Sequence, residues 1–170
     1  MERRILTNSK HTNVNEILLP ANLPFIFEKY QDIIPEKIVP GEKHVFPTYK
    51  KTNSMLSVLF PLKEHPVHGK TGIYAMEKYD DDGYVRRYNY QWKIIIPKMS
   101  KQGFHISSWG NEPHNDPDTP PEFQIDSEPH HHHHVPHDWR QRKENWTVWT
   151  LEEVFEFVAY YIRTGIEYKP

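Results

Sequence analysis

Hydrophobic and polar residues follow two different periods along the chain, and the clearer one is the helical period near its carboxyl end. The apolar positions there are Leu151, Val154, Phe155, Val158, Ala159 and Ile162. This spacing of three and four residues puts them on one face of a helix. Thr150 and Glu153 have the spacing of a capping box, and Gly165 suits the carboxyl-terminal cap. The pattern predicts an amphipathic helix that buries its apolar stripe.

A period of two residues marks the middle of the chain as β-structure, because successive side chains of a strand point to opposite faces. The apolar run at 55–60 predicts a buried strand, and segment 72–79 leads into Asp80-Asp81-Asp82-Gly83, a strong hairpin signal. The next strand has Tyr84, Arg86, Tyr88, Tyr90, Trp92, Ile94 and Ile96 on one face and Val85, Arg87, Asn89, Gln91 and Lys93 on the other. Residues 104–109 predict a further strand after a turn.

The first third of the chain shows one short helical pattern. Asn22 is placed to cap a helix whose apolar positions are Leu23, Ile26, Phe27, Tyr30, Ile33 and Ile34. Pro35 ends this helix, residues 1–13 form a loose polar arm, and segment 35–52 forms an extended crossing.

Together the elements predict an α+β fold, an antiparallel β-meander packed against the carboxyl-terminal helix. We expect residues 1–53 to form a helical and extended amino-terminal extension, and residues 54–170 to form the main domain.

Composition narrows the possible partners. The 170 residues are enough for one domain with a core, and the net charge of −2 excludes polyanion binding through bulk charge. Any nucleic-acid contact therefore needs a local basic patch. The absence of cysteine excludes disulfides and zinc–thiolate sites. No apolar run approaches the roughly 18 residues of a membrane span, and no signal-peptide core is present, so we expect a cytoplasmic protein without a membrane partner.

Histidine is concentrated in one short stretch, the segment 129–137, which reads Pro-His-His-His-His-His-Val-Pro-His. It holds six of the twelve histidines of the chain. The run is internal, between the acidic Asp126 and Glu128 and a basic stretch that begins at Trp139, whereas a purification tag sits at a terminus. We therefore interpret it as native sequence.

Three interpretations of the histidine run stay open at this point. Imidazole has an unperturbed pKa of about 6.5, so clustered histidines are suited to act as acid and base together. Cleavage of RNA through its own 2′-hydroxyl requires such a pair and a cation for the phosphorane. A divalent-metal site is the second interpretation, because histidine is a common ligand. The third is a solvated low-complexity loop with incidental metal affinity.

Several motifs occur in an order that resembles the TumE family of small prokaryotic toxin–antitoxin proteins. They are Arg86-Arg87-Tyr88, Trp109-Gly110-Asn111-Glu112-Pro113-His114, Glu128-Pro129-His130-His131-His132-His133-His134, and Thr150-Leu151-Glu152-Glu153-Val154 at the start of the last helix. The resemblance covers roughly residues 72–163, and the first seventy residues have no counterpart. Gly110 stands where the family often has an aspartate.

The resemblance implies a toxin-like protein that a cognate antitoxin neutralises and that inhibits growth, with RNA as the expected target. The implied catalytic residues are His114, His130, His131, His133, Arg87 and Asn111. The basic residues expected to contact nucleic acid are Arg86, Arg140, Arg142 and Lys143.

Our leading hypothesis from the sequence is a metal-independent ribonuclease that uses histidine acid–base chemistry and needs no cofactor. We expect a side-chain atom of His114 within about 8 Å of His130, His131 or His133, and Arg87 on the same side. The alternatives are a non-catalytic regulator that binds a partner or nucleic acid, and a hydrolase with a divalent metal at the histidine run.

Overall fold

The computed structural model describes residues 17–35, 47–96, 99, 105–112, 120–125, 132–135 and 138–169. For residues 132–135 and 138–140 the description covers the backbone. The predictions made for the arm at 1–13 and for His114, His130 and His131 concern positions outside the described residues.

Seven antiparallel strands form one sheet in which the spatial order is the order along the chain. The strands are β1 (Thr48–Lys51), β2 (Met55–Pro61), β3 (Thr71–Tyr79), β4 (Val85–Ile94), β5 (Ser107–Gly110), β6 (His132–Val135) and β7 (Asp138–Glu144). The helices are α1 (Leu23–Lys29) and α2 (Leu151–Thr164), with a short 3-10 turn at Pro121–Phe123. The predicted α+β fold, an antiparallel meander with a carboxyl-terminal helix, is confirmed.

The core lies between one face of the sheet and the two helices, and large rings dominate it. Phe60 of β2 meets Phe155 of α2 edge to face with ring centroids 4.9 Å apart, and Tyr30 lies 5.0 Å from Phe155. Trp109 of β5 contacts Phe157 of α2 in the same way, at 5.1 Å. Each fully buried ring of this kind contributes roughly 2 kcal/mol through removal of apolar surface from water.

Helix α2 begins and ends where its sequence signals predict. The Thr150 hydroxyl accepts a hydrogen bond from the Glu153 N–H at 3.4 Å, and the Glu153 carboxylate accepts one from the Thr150 N–H at 3.0 Å. Gly165 takes the left-handed conformation with φ of 69°, which closes the last turn. No described helix is long and apolar enough to cross a membrane.

Helix α1 is shorter than predicted. Asn22 caps its amino end through a hydrogen bond from the Phe25 N–H, as expected. The helix ends at Lys29, however, and the N–H groups of Ile33 and Ile34 both donate to the Tyr30 carbonyl. These turns place the side chains of both isoleucines in the core. The spacing that predicted a longer helix therefore reflects their burial and not a continuation of α1. The predicted extended crossing contains β1.

A β-bulge changes the predicted faces of β4. Lys78 pairs with Arg87 and Tyr79 pairs with Val85, so Arg86 has no partner across the hairpin. Val85 is therefore buried in the core and Arg86 is exposed, which corrects the prediction that Arg86 shares the apolar face. At the other end of the strand Ile95 is fully buried, whereas Ile94 is 37% exposed.

Candidate functional site

The open face of the sheet, defined as the face directed away from α1 and α2, carries most of the basic side chains of the described strands. Paired residues of antiparallel strands point to the same face, so the strand register assigns each side chain to one of the two. The open-face cations are Lys50, Lys78, Arg87, Lys93 and Arg142. Glu144 is the one carboxylate that the register of the described strands assigns to this face.

A continuous polar row crosses the open face from β3 to β7. Its successive register partners are Tyr74, Gln91, Ser108, His134 and Arg142. Neighbouring strands lie about 4.8 Å apart, so each position of the row is adjacent to the next. The register therefore aligns the histidine strand β6 with the polar residues of β4 and β5, as one potential binding surface.

The centre of the open face is polar and nevertheless shielded from water. Lys93 and Gln91 are 5% and 8% exposed, and Ser108 is buried as well. The Lys93 ammonium donates to Gln91 Oε1 at 3.3 Å, and Ser108 Oγ lies 3.2 Å from His105 Nε2. Burial lowers the pKa of Lys93 below its usual range, because the charged form loses its hydration. Burial lowers the pKa of Arg142 for the same reason.

Arg87 and Asn111, which the sequence placed in one site, are in direct contact. Arg87 Nη1 donates to the Asn111 carbonyl at 2.8 Å. The Asn111 side chain is 2% exposed and is bonded at both ends: its Oδ1 accepts from the Tyr88 N–H and its Nδ2 donates to the Arg86 carbonyl. The Asn111 side chain thus joins the end of β5 to β4. Its carbonyl fixes the position of the Arg87 guanidinium.

Two of the sequence motifs meet at the junction of β5 and β6. His133 pairs with Trp109, and His132 pairs with Gly110, the residue before Asn111. His114, His130 and His131 lie outside the described residues, so the predicted distance of about 8 Å between His114 and the run remains a prediction.

The four basic residues predicted to contact nucleic acid do not share one surface. Arg142 belongs to the open face, whereas the register puts Lys143 on the opposite one. Arg86 is exposed at the β-bulge. For Arg140 the described backbone places the residue within β7.

Sequence reasoning missed Lys93, Gln91, Ser108 and His105 as candidate site residues. The alternation along β4 assigns Gln91 and Lys93 to the polar side of the strand, which suggested contact with solvent. One feature of the sequence could have indicated this site: the next predicted strand carries the polar pair Ser107-Ser108 beside the polar side of β4. Their burial depends on pairing between distant segments, which alternation does not reveal.

The described part of the chain contains no group of three or more histidine, cysteine, aspartate or glutamate side chains arranged to hold a metal ion. The histidines at 130 and 131 are not among the described residues, so a metal at the run remains an alternative. No protein-family model matches the chain, and no curated protein or solved structure is significantly similar to it.

Proposed function

We propose that this protein is a toxin-like, metal-independent ribonuclease that binds RNA on the open face of its sheet. The observation that carries the proposal is electrostatic: a chain with net charge −2 collects five cations and one carboxylate on the open face of the described strands. A local excess of positive charge attracts the phosphate backbone even when the net charge does not.

The proposed reaction is transesterification within the RNA strand. One of His130 and His131 removes the proton of the 2′-hydroxyl, whose oxygen forms a bond to the adjacent phosphorus. His133 is left out of this role, because its register partners Trp109 and Lys143 belong to the helix side of the sheet, opposite to Arg87. The bond from phosphorus to the 5′-oxygen breaks, and His114 protonates the departing oxygen. The products are a 2′,3′-cyclic phosphate and a 5′-hydroxyl end.

Arg87 is the cation proposed to stabilise the charge that develops on the phosphorane. Its contact with the Asn111 carbonyl supports this role, because one guanidinium nitrogen is held in place. Within the described part of the chain, the remaining N–H groups are left for an oxyanion. The pairing of β5 with β6 supports it further, since Asn111 directly follows the residue that pairs with His132.

The test of activity is incubation of the purified protein with single-stranded and structured RNA in the presence of a chelator. We expect cleavage that leaves 2′,3′-cyclic phosphate ends. The rate should fall at least about 100-fold in His114→Ala and in the double variant His130→Ala/His131→Ala, the usual scale of a lost general acid or base. Failure to cleave any RNA, with growth inhibition intact in cells, would refute the nuclease proposal.

Neighbouring lysines on β1 give a matched test of the binding face. Lys50 and Lys51 are both exposed, and the register puts Lys50 on the open face and Lys51 on the helix side. Lys50→Glu should weaken RNA binding by roughly tenfold at low salt, whereas Lys51→Glu should change it less than about twofold. Equal effects of the two substitutions would show that the open face does not bind the RNA.

A non-catalytic, RNA-binding regulator is the second candidate, because the basic face supports binding with or without turnover. In that case the Lys50 and Lys51 variants differ in binding while no RNA is cleaved. A divalent-metal hydrolase predicts instead that activity disappears in chelator and that metal stays bound at stoichiometric amounts after dialysis. As a toxin-like protein, the chain would have a cognate antitoxin as its protein partner.

A further inference from the structure

Lys93 is a buried cation without a counter-ion among the described residues. Its side chain is 5% exposed, and its one hydrogen-bond partner in the described part of the chain is the neutral amide oxygen of Gln91. A buried ammonium usually pairs with a carboxylate, because an uncompensated charge is costly to remove from water. Glu144, the carboxylate assigned to this face, lies on β7, three strands away from Lys93.

The groups next to Lys93 are those that bind an oxyanion. Gln91 directs its Oε1 to Lys93, which leaves the amide N–H groups of Gln91 as donors. Ser108 pairs with Gln91 across the ladder, and the rotatable hydroxyl of Ser108 lies 3.2 Å from His105 Nε2. An ammonium, an amide, a hydroxyl and an imidazole therefore surround one part of the open face.

We propose that Lys93, Gln91, Ser108 and His105 form a binding subsite for a tetrahedral oxyanion, the phosphate of a phosphodiester. The bound phosphate supplies the counter-ion that Lys93 lacks, and Gln91 and Ser108 donate hydrogen bonds to its oxygens. His105 Nε2 donates to Ser108 Oγ in this arrangement, which leaves the hydroxyl proton of Ser108 for the phosphate. This subsite is separate from the groups proposed to transfer protons, and it fixes the position of the substrate backbone. The identification of RNA as the source of this phosphate rests on the proposed function. The affinity of the subsite for an oxyanion does not depend on that function.

The subsite predicts how the rest of the strand lies on the protein. The polar row continues from Gln91 and Ser108 to His134 and Arg142, so a strand anchored at Lys93 extends toward β6 along the row. The strands that carry this row lie about 4.8 Å apart. A phosphate at Lys93 therefore brings its neighbours over the histidine strand.

The experiment compares two methionine substitutions on the same face. Lys78 also belongs to the open face but is exposed, so Lys78→Met removes the same charge without removing the buried group. Binding is measured with a single-stranded oligonucleotide of 2′-deoxy residues, which this reaction does not cleave, and separately with inorganic phosphate. We expect Lys93→Met to weaken oligonucleotide binding about 10- to 100-fold and Lys78→Met by only about two- to threefold, the effect of one exposed charge on the same face.

Inorganic phosphate separates the subsite from the nuclease proposal. Perturbation of the Gln91 side-chain amide signals by phosphate, abolished in Lys93→Met, supports the subsite even if no RNA is cleaved. If both variants bind the oligonucleotide and phosphate as the unsubstituted protein does, the subsite is wrong, whatever the cleavage assay shows.

Further variants distinguish loss of contacts from loss of folding. Lys93→Arg keeps the charge and should retain most of the binding, provided that the protein unfolds at the same urea concentration. Ser108→Ala should weaken phosphate binding by at least about tenfold, the value of one hydrogen bond to a charged group. Folded Lys93→Gln protein that binds like the unsubstituted protein would also overturn the inference.

Discussion

Asn111 completes the ladder between β4 and β5 with its side chain, since its Oδ1 accepts a hydrogen bond from the Tyr88 N–H at 2.8 Å. Its Nδ2 donates to the Arg86 carbonyl at 3.1 Å, so one amide satisfies two backbone groups beside the β-bulge. The sequence assigned both residues to one site, whereas the structure shows that Asn111 holds the strand end and binds Arg87 through its carbonyl. The role that we propose for Arg87 toward the substrate is thus separate from the structural role of Asn111.

Replacement of Asn111 should therefore affect stability before it affects chemistry. We expect Asn111→Ala to lower the free energy of unfolding by about 2–3 kcal/mol, because it removes the partners of a buried N–H group and of a half-buried carbonyl. Urea denaturation measures the change. Asn89→Ala, whose Oδ1 has no hydrogen-bond partner in the described part of the chain, is the matched control and should cost less than about 0.5 kcal/mol. A similar cost for both substitutions would contradict the proposed role of Asn111.

Glu77 should be essential for attaching the amino-terminal segment to the sheet. Its carboxylate is fully buried and accepts hydrogen bonds from the Tyr90 hydroxyl at 2.8 Å, the Tyr79 hydroxyl at 3.1 Å and the Ala21 N–H at 3.0 Å. Tyr90→Phe should lower the free energy of unfolding by about 1.5–2 kcal/mol in thermal or urea denaturation, because it removes a donor to a charged group.

Tyr84→Phe is the control for that prediction, since Tyr84 directly precedes β4 and is exposed. It should change stability by less than about 0.5 kcal/mol. Protection of the Ala21 amide from hydrogen exchange should fall in Tyr90→Phe and in Glu77→Gln, and unchanged protection in both would argue against this anchor.

His65 should be a structural histidine with a fixed tautomer. Its Nδ1 accepts from the N–H groups of Val67 and His68, which leaves Nε2 to carry the proton and donate to the Ile166 carbonyl at 2.8 Å. His65→Ala should destabilise the fold by about 2–4 kcal/mol, because it opens a buried site and leaves three polar groups unsatisfied.

The tautomer gives this prediction a second measurement. Imidazole nitrogen chemical shifts should show a protonated Nε2 and an unprotonated Nδ1 in the folded protein. His65→Asn places an acceptor near the Nδ1 position, so it should recover part of the stability lost in His65→Ala. The opposite tautomer, or equal loss in both variants, would contradict the assignment.

Lys93 should reduce the stability of the free protein. Burial of the ammonium is unfavourable, and we expect Lys93→Met to raise the free energy of unfolding at neutral pH by roughly 1 kcal/mol while weakening oligonucleotide binding. Burial lowers the pKa of Lys93 in the folded state below its value of 10.5 in the unfolded chain. Between these two pKa values the unfolded state holds more protons, so stability should rise with pH.

Urea denaturation between pH 7 and pH 10.5 measures both effects. The rise of stability with pH below 10.5 should be smaller in Lys93→Met than in the unsubstituted protein. Lys78→Met should keep the original pH dependence, because Lys78 is exposed. Destabilisation by Lys93→Met at every pH would identify Lys93 as a structural residue and would leave its burial without a functional explanation.

Helix α2 shows how much of the fold local sequence determines. Thr150, Glu153 and Gly165 act on backbone groups within four residues of themselves, so the bounds of the helix follow from the sequence and the structure confirms them. The hairpin at Asp80–Gly83 is likewise determined by residues close together in sequence. Gly83 takes φ of 85°, and the Asp80 carboxylate accepts hydrogen bonds from two N–H groups of the turn.

Alternation along β4 determined that the strand has a polar side, but tertiary structure decided which residues occupy it and how deeply they are buried. The bulge at Arg86 reverses the alternation at the start of the strand. The pattern of β4 alone could not predict this reversal, because a bulge depends on the partner strand as well as on its own residues. Burial of Lys93 likewise depends on segments that are distant in sequence.

The amino-acid sequence by itself determined the α+β class, the bounds of α2, the β3–β4 hairpin and the presence of the histidine run. Those features depend on local periodicity, caps and turn residues. Only the tertiary structure decided that Lys50, Lys78, Arg87 and Arg142 share one face with Lys93 and that β6 pairs with Trp109–Gly110. The physical reason is that a pairing register is fixed by contacts across the whole sheet, and a shift of one residue would exchange the two faces of a strand.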